Sequence, residues 1–298
     1  MNRIRGVNPP AITIFDADGE IDYEAMERHA DYMIENGVDG IAYLGTSGEF
    51  GVLTQKQKLE LIRRMTAYVD HRAHVLIGVG DTCMTNTLEL AAAAKAAGAD
   101  GVLAVPPYFS IYAEENVEAY YDELAVQCGL PVIIYNFPTL TGFDMNPELV
   151  KRLAVRHENI VGIKDTIDDA DHLRAMLRIK EVKPEFSVFC AYESQALDMV
   201  EAGIDGFVNA TGNFAPGFTV RLCRAAQNHD RSQMETYFQR MCEASQVYNY
   251  AVPLFLAVKE AVYQCVLGKN GAEKLPGLPL GEENRTEIKM LLKKLSLI

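Results

Sequence analysis

Positive charge is scarce in this chain: 28 lysines and arginines stand against 41 aspartates and glutamates, a net charge of −13 over 298 residues. With no basic cluster anywhere, that balance argues against nucleic acid as a partner. It also leaves any anionic ligand to be held by local donors, because the global field will not attract it. No run is long and apolar enough to span a bilayer, which argues against a membrane protein. The first ten residues carry arginines with no apolar segment behind them, so they do not read as a secretion signal. The six cysteines, at 83, 128, 190, 223, 242 and 265, never form Cys-x-x-Cys. In a chain of this size they read as reduced thiols of a cytoplasmic protein. Metal ligands do not cluster either: His71 and His74 are three apart but precede a strand, on the face of the fold away from any site. Gly-x-Ser-x-Gly is absent, and Gly78-Val79-Gly80 lacks the third glycine of a dinucleotide fingerprint. A metal-dependent chemistry is therefore disfavoured.

What the chain does have is apolar residues, 49% of the total, enough for a large core. Apolar, β-branched runs recur at 11–15, 40–44, 75–79, 101–105, 131–135, 160–164, 186–190 and 204–208. Helical patterns lie between them, for example at 23–35, 55–69, 88–97 and 113–127. Eight strands alternating with helices predict an α/β fold of the (β/α)8 TIM-barrel type. An open doubly wound sheet competes, but it more often has fewer strands and wants a glycine-rich first turn. A weak repeat supports regular units: Gly37-Val38-Asp39-Gly40, Gly98-Ala99-Asp100-Gly101 and Gly203-Ile204-Asp205-Gly206 each set a glycine after a helix and just before a strand. Those glycines read as left-handed helix caps on the bottom face. Helical patterns at 231–248, 254–267 and 284–295 follow the last barrel helix at 218–226. The chain thus divides into a barrel over 1–228 and a C-terminal helical appendix over 229–298, packed on it without a polar linker.

In such barrels the chemistry sits where strands end. The ends here are rich in hydroxyls: Thr46-Ser47-Gly48-Glu49, Pro107-Tyr108-Phe109, Asn136-Phe137-Pro138, Asp165-Thr166, Ala191-Tyr192-Glu193 and Asn209-Ala210-Thr211. The run Ile160-Val161-Gly162-Ile163-Lys164 ends in a lysine, a residue seldom buried. Burial there disfavours the ammonium and favours a free amine able to attack a carbonyl. The alternative is a lysine that snorkels to solvent or pairs with an acid. By strand alternation Lys164 shares a face with Gly162 and Ile160, while Val161, Ile163 and Asp165 point the other way. Tyr135 ends the preceding strand in the equivalent position, so a lysine and a tyrosine should meet in the barrel mouth. Gly45-Thr46-Ser47-Gly48-Glu49 suits a carboxylate or, equally, caps the helix that begins near Gln55. Thr211-Gly212-Asn213 lies where some barrels bind phosphate, but it has no arginine or lysine nearby.

Taken together, Gly45-Thr46-Ser47-Gly48-Glu49, Pro107-Tyr108, Tyr135-Asn136-Phe137-Pro138 with Thr141-Gly142, and Gly162-Ile163-Lys164-Asp165 resemble the signatures of the dihydrodipicolinate synthase / N-acetylneuraminate lyase superfamily. The resemblance covers essentially the whole chain. Gly162-Ile163-Lys164-Asp165-Thr166-Ile167-Asp168 and Gly212-Asn213-Phe214-Ala215-Pro216 look most like bacterial 2-keto-3-deoxygluconate aldolases. It implies that Lys164 forms a Schiff base with pyruvate or a 2-keto acid and that Tyr135 shuttles protons. It further implies that Thr46 and Ser47 hold the substrate carboxylate with backbone help around Ala191 and Val208. Glu193 is implied either to meet substrate hydroxyls or to serve as a helix-start acid. No metal and no organic cofactor is implied, and the expected assembly is a homotetramer. A neighbouring subunit is expected to contribute through Tyr108 and Phe109, where Phe109 stands at the family's usual relay tyrosine. Leu140 stands where the synthase branch has an arginine, which argues against lysine biosynthesis. The expected activity is a class I aldolase cleaving a 2-keto-3-deoxy sugar acid. Rivals are dihydrodipicolinate synthase, N-acetylneuraminate lyase, a Schiff-base dehydratase, and a non-catalytic sugar-acid-binding protein on the same scaffold.

Overall fold

The computed structural model describes residues 3–298. Eight parallel strands form one sheet: β1 (Gly6–Val7), β2 (Gly40–Tyr43), β3 (His74–Gly78), β4 (Gly101–Ala104), β5 (Val132–Asn136), β6 (Ile160–Asp165), β7 (Ser187–Cys190) and β8 (Gly206–Phe207). Their order is β1-β8-β7-β6-β5-β4-β3-β2. The remaining seam is bridged just past β1, where Ala42 N–H donates to Pro9 O at 2.9 Å and Ala11 N–H donates to Ala42 O at 2.8 Å. The sheet is thereby a barrel, covered by helices, and both faces of each strand are buried. That is why the strands read as continuous apolar runs and not as alternating ones.

The helices of the outer layer are α1 (Tyr23–Glu35), α2 (Gln55–Val69), α3 (Met84–Ala97), α4 (Glu114–Cys128), the single turn α5 (Pro138–Thr141), α6 (Pro147–Arg156), α7 (Ala170–Leu177), α8 (Ala196–Ala202) and α9 (Pro216–Gln227). Then come α10 (Arg231–Ser245), α11 (Phe255–Val262), which continues into a π-helical turn over Tyr263–Leu267, and α12 (Glu282–Lys294). Among the described residues no single helix is long and apolar enough to cross a membrane.

The first strand is not where the apolar run predicts it. Residues 11–15 are buried, but β1 is Gly6–Val7. Ala11 touches the barrel ladder through Ala42, and Phe15 forms isolated antiparallel bridges with Ile21 and Ala272; between them the contacts run largely through side chains. Asn213 accepts from Ile12 N–H at 3.0 Å and donates to Pro10 O at 3.1 Å, and Thr13 donates its hydroxyl to Gly48 O at 2.6 Å. Hydrophobic periodicity reports burial, and this stretch is buried without being a strand.

The three glycine repeats do more than cap helices. Gly37, Gly98 and Gly203 take positive φ of 87°, 85° and 86°. The aspartate two residues after each then exchanges hydrogen bonds with the strand beside it. Asp39, Asp100 and Asp205 accept from the backbone N–H of Val7, Val75 and Val188 at 2.8, 2.8 and 2.9 Å. Their own N–H groups donate to the carbonyls of the same three residues. Each repeat thus pins the starting register of a strand pair at the bottom of the barrel.

One irregularity matters for the site. In the β5–β6 ladder Val132 pairs with Ile160 but Ile133 pairs with Gly162, so Val161 is an extra residue, a bulge. The expected face of Ile160 is therefore wrong: Ile160 packs in the outer core, while Val161 packs against the barrel-interior cluster with Ile133 and Tyr135. The freed Ile160 carbonyl is taken by Lys183, whose Nζ donates at 2.9–3.1 Å to the carbonyls of Ala154, His157, Glu158 and Ile160. This buried ammonium caps the end of α6 and holds the bulge together.

Candidate active site

Past the bulge, β5 and β6 run in step. Tyr135 and Lys164 are direct neighbours in the ladder, and Asn136 faces Asp165. Lys164 is 4% exposed and Tyr135 is 5% exposed. The lysine Nζ stands 3.8 Å from the centroid of the phenol ring, and Phe137 stacks on that ring at 6.1 Å. The Tyr135 hydroxyl and the Thr46 hydroxyl are in hydrogen-bond contact at 3.0 Å. A primary amine, a phenol and an aliphatic hydroxyl thus converge at the mouth. Gly162 makes room one step below: a Cβ there would lie 2.5 Å from the carbonyl oxygen of Ser187.

Asp165 faces outward, as alternation requires, and its side chain is fully buried. His172 of α7 binds it through Nδ1 at 2.7 Å, and the Asn136 amide donates to it at 2.9 Å and to Asp144 at 2.9 Å. Burial works against the His172 imidazolium, but the hydrogen bond and charge of Asp165 outweigh it and raise the histidine above its usual range. This polar layer backs both strand ends and fixes the directions of their side chains. In the sequence Asn136 stands out only as part of a motif, and His172 not at all. The only signal is their chemistry beside a lysine and a tyrosine.

The turn carrying Thr46 and Ser47 is sharp at both ends. Leu44 and Glu49 adopt left-handed φ of 58° and 55°. Gly78 lets β3 approach it, since a Cβ there would lie 2.1 Å from Leu44 O. Helix α2 is capped without it: Thr54 and Gln57 form a reciprocal capping box. That removes the helix-capping alternative for Thr46 and Ser47. Ser47 is buried and Thr46 half-buried at the end of β2. Glu49 points the other way, to Lys259 of α11 at 2.8 Å. Burial pushes the Glu49 carboxyl up, against the pull of that ammonium.

The remaining expected site residues divide. Val208 lies in the barrel-interior cluster, and Ala191 is half-buried just past β7. Glu193 is buried, and one of its carboxylate oxygens already takes Asn209 Nδ2 at 3.0 Å, the Thr211 hydroxyl at 2.7 Å and the Tyr248 hydroxyl at 2.6 Å. It ties the ends of β7 and β8 to the turn after α10. Tyr108 and Phe109 part company. The ring of Tyr108 packs on its own barrel's interior cluster, edge-on to Phe50 at 6.1 Å. Phe109, at φ 74°, is 96% exposed. Within one protomer the tyrosine packs on the interior cluster and the phenylalanine does not. On the opposite face a cleft of about 410 Å³ opens beside Arg5, Asp39, Asp205 and Arg224. Its aspartates are engaged in the register exchanges described above, and it is remote from Lys164.

The family model for the dihydrodipicolinate synthetase family matches residues 3–295. The chain belongs to that family. It is 42% identical over 267 residues, 89% of this chain and 88% of its relative, to YjhH of Escherichia coli K-12, which is named a probable 2-dehydro-3-deoxy-D-pentonate aldolase. It is 39% identical over 293 residues, 98% of this chain and 97% of the relative, to YagE of the same strain, whose name carries a provisional 2-dehydro-3-deoxy-D-gluconate aldolase assignment. The crystal structure of YagE in complex with pyruvate superposes with a TM-score of 0.95 at 38% identity over the full length of both chains. A dihydrodipicolinate synthase from Thermotoga maritima superposes with a TM-score of 0.94 at 28% identity, again over both full lengths. The TIM-barrel fold and its C-terminal helices are those of this family.

Proposed function

We propose that this protein is a class I, pyruvate-dependent carbon–carbon lyase that cleaves a 2-keto-3-deoxy sugar acid to pyruvate and an aldehyde, or joins them. The observation that carries the reading is the buried Lys164 amine 3.8 Å over the Tyr135 ring, with Thr46 on the phenol oxygen at 3.0 Å. The amine adds to the keto carbon, and loss of water gives an iminium. Tyr135 supplies and removes the protons of those steps. Tyr135 then takes the proton of the C4 hydroxyl as the C3–C4 bond breaks. Its electron pair moves into the iminium, the aldehyde departs and an enamine remains. Protonation of the enamine at C3 and hydrolysis release pyruvate and return the amine. Thr46 and Ser47 hold the carboxylate, Ala191 and Val208 flank it through their backbone, and no metal or organic cofactor enters the cycle.

Leu140, exposed in the turn α5, offers no charge to an aldehyde carboxylate, which favours a sugar-derived aldehyde over aspartate semialdehyde. The identities to YjhH and YagE support the same substrate class. Phe109 and Ile111, 96% and 92% exposed on one rim loop, support assembly with a second copy, and we assign a homotetramer in the cytoplasm. The barrel expected over 1–228, of which residues 1 and 2 lie outside the described residues, carries the chemistry, and 229–298 forms its helical support. Borohydride added with pyruvate should leave a stable adduct on Lys164, and a panel of C5 and C6 keto-deoxy acids should release pyruvate. If the wild-type protein forms no adduct, the scaffold is a sugar-acid binder and not an enzyme.

A further inference from the structure

The Thr46-Ser47 turn is held from a place the barrel itself does not supply. Lys259, on α11, is fully buried, and its Nζ lies 2.8 Å from Glu49 Oε1, 2.5 Å from Glu273 Oε2 and 4.6 Å from the centroid of the Phe15 ring. Glu49 is two residues beyond Ser47 and is the one charged group of the turn. The turn's other restraints are the Thr13 hydroxyl on Gly48 O at 2.6 Å and the close packing of Gly48 on Ala11 O. Leu44 and Glu49, both non-glycine at positive φ, need surroundings that over-determine them. The hydroxyl this turn presents is the one on the Tyr135 phenol. A shift of roughly 1 Å in such a group is enough to cost a large factor in rate.

We infer that Glu49 and Lys259 are a positioning pair through which the C-terminal helix α11 sets the carboxylate-binding turn, making the appendix part of substrate recognition. This rests on the reading of Lys164 as the Schiff-base lysine and of Thr46 and Ser47 as the carboxylate site. Neither Glu49 nor Lys259 touches substrate. The pair acts on the charged end of the keto acid and leaves the amine alone, because Lys164 is held on β6 by the layer behind Asp165.

The test is reductive trapping with borohydride, read by intact mass. Pyruvate is compared with acetone, a ketone without the carboxylate, in wild type, Glu49→Leu and Glu49→Gln. Glu49→Leu removes the anchor and leaves Lys259 paired with Glu273, whereas glutamine keeps an acceptor for the lysine. We expect the half-saturating pyruvate concentration to rise about tenfold or more in Glu49→Leu while acetone trapping stays within about twofold. Glu49→Gln should stay within about threefold of wild type for both ketones. Unchanged pyruvate trapping in Glu49→Leu, or a parallel loss of pyruvate and acetone trapping, overturns the inference. Should Glu49→Leu not fold, Lys259→Gln decides by the same ratio: selective loss for pyruvate supports the pair, and parallel loss or no loss overturns it. A wild-type protein that traps neither ketone refutes the assignment of Lys164 instead.

Discussion

At the barrel mouth Lys164 lies against the ring of Tyr135, and at the seam with the C-terminal helices Lys259 lies against the ring of Phe15. Both lysines are buried. They differ in what receives their protons. Lys259 faces two carboxylates, and a third buried lysine, Lys183, faces four backbone carbonyls. Lys164 makes no ion pair and no hydrogen bond to another described residue; its neighbour is a ring face. An ammonium surrounded by acceptors is held as a structural group, because any change of state strands those acceptors. An amine without them is available to a carbonyl carbon. The difference teaches that burial alone does not mark a reactive lysine, and the lack of acceptors is what sets Lys164 apart from the other two.

The contrast breaks most sharply at Lys164. Lys164→Ala should bring pyruvate release from keto-deoxy acids down to the uncatalysed rate, with circular dichroism and thermal midpoint close to wild type. Retained turnover, or a collapsed fold, would mean that this lysine belongs with the structural ones. Lys259→Met should strike stability first, with weaker pyruvate capture following from the loosened Glu49 turn. It leaves Glu49 and Glu273 buried together, and removing one partner of a buried pair costs about 3–5 kcal/mol, read as a lower urea midpoint. Lys183→Met comes next, at about 1–3 kcal/mol for buried carbonyls left without a donor. That substitution sharpens the comparison further: with the β6 bulge loosened, borohydride trapping of pyruvate should slow although Lys183 is far down the strand from the amine.

The smallest effect is one of pH and compares two histidines. His172 has its pKa raised by Asp165, so its favourable interaction is fully present below the unfolded value of about 6.5 and is lost as pH rises through the folded value. The stability difference between wild type and His172→Asn should therefore shrink as pH rises past neutrality. His29 is the opposite case. Fully buried, with Nε2 against Asn213 O at 2.9 Å, it is pushed down to about 4. Between about 4 and 6.5 the unfolded chain binds the proton that the folded one refuses, so in that window stability falls with falling pH. His29→Gln should flatten that acid slope and leave the behaviour above neutrality unchanged.

Much of this architecture can be read one element at a time. The apolar runs at 40–44, 75–79, 101–105, 131–135, 160–164, 186–190 and 204–208 each contain their strand or overlap it closely, and the glycines at 37, 98 and 203 do take the left-handed conformation. Neighbouring strand ends also bring Tyr135 and Lys164 together at the residues expected. The reading fails where a buried segment is satisfied by side chains from elsewhere. Residues 11–15 look like a strand, but between Ala11, which reaches Ala42, and the isolated bridges of Phe15, Ile12 bonds the Asn213 side chain, and Gly6–Val7, with a single β-branched residue, is the strand instead. Strict alternation also misassigns Ile160 and Val161, because a bulge has no signature in a period of two. Glu193 shows the same limit, since its donors Thr211 and Tyr248 are 18 and 55 residues away.

The sequence by itself determined the (β/α)8 plan, the strand ends that form the mouth, and the pairing of a lysine with a tyrosine there. These follow from local periodicity and from ladder neighbours that share one alternation. Only the tertiary structure decided which strand opens the barrel, where β6 bulges, and which buried lysine has acceptors and which has none. Lys259 reaches Glu49 across 210 residues of chain. No local pattern carries that distance, because the partner of a buried charge is fixed only when the barrel closes and the C-terminal helices pack against it.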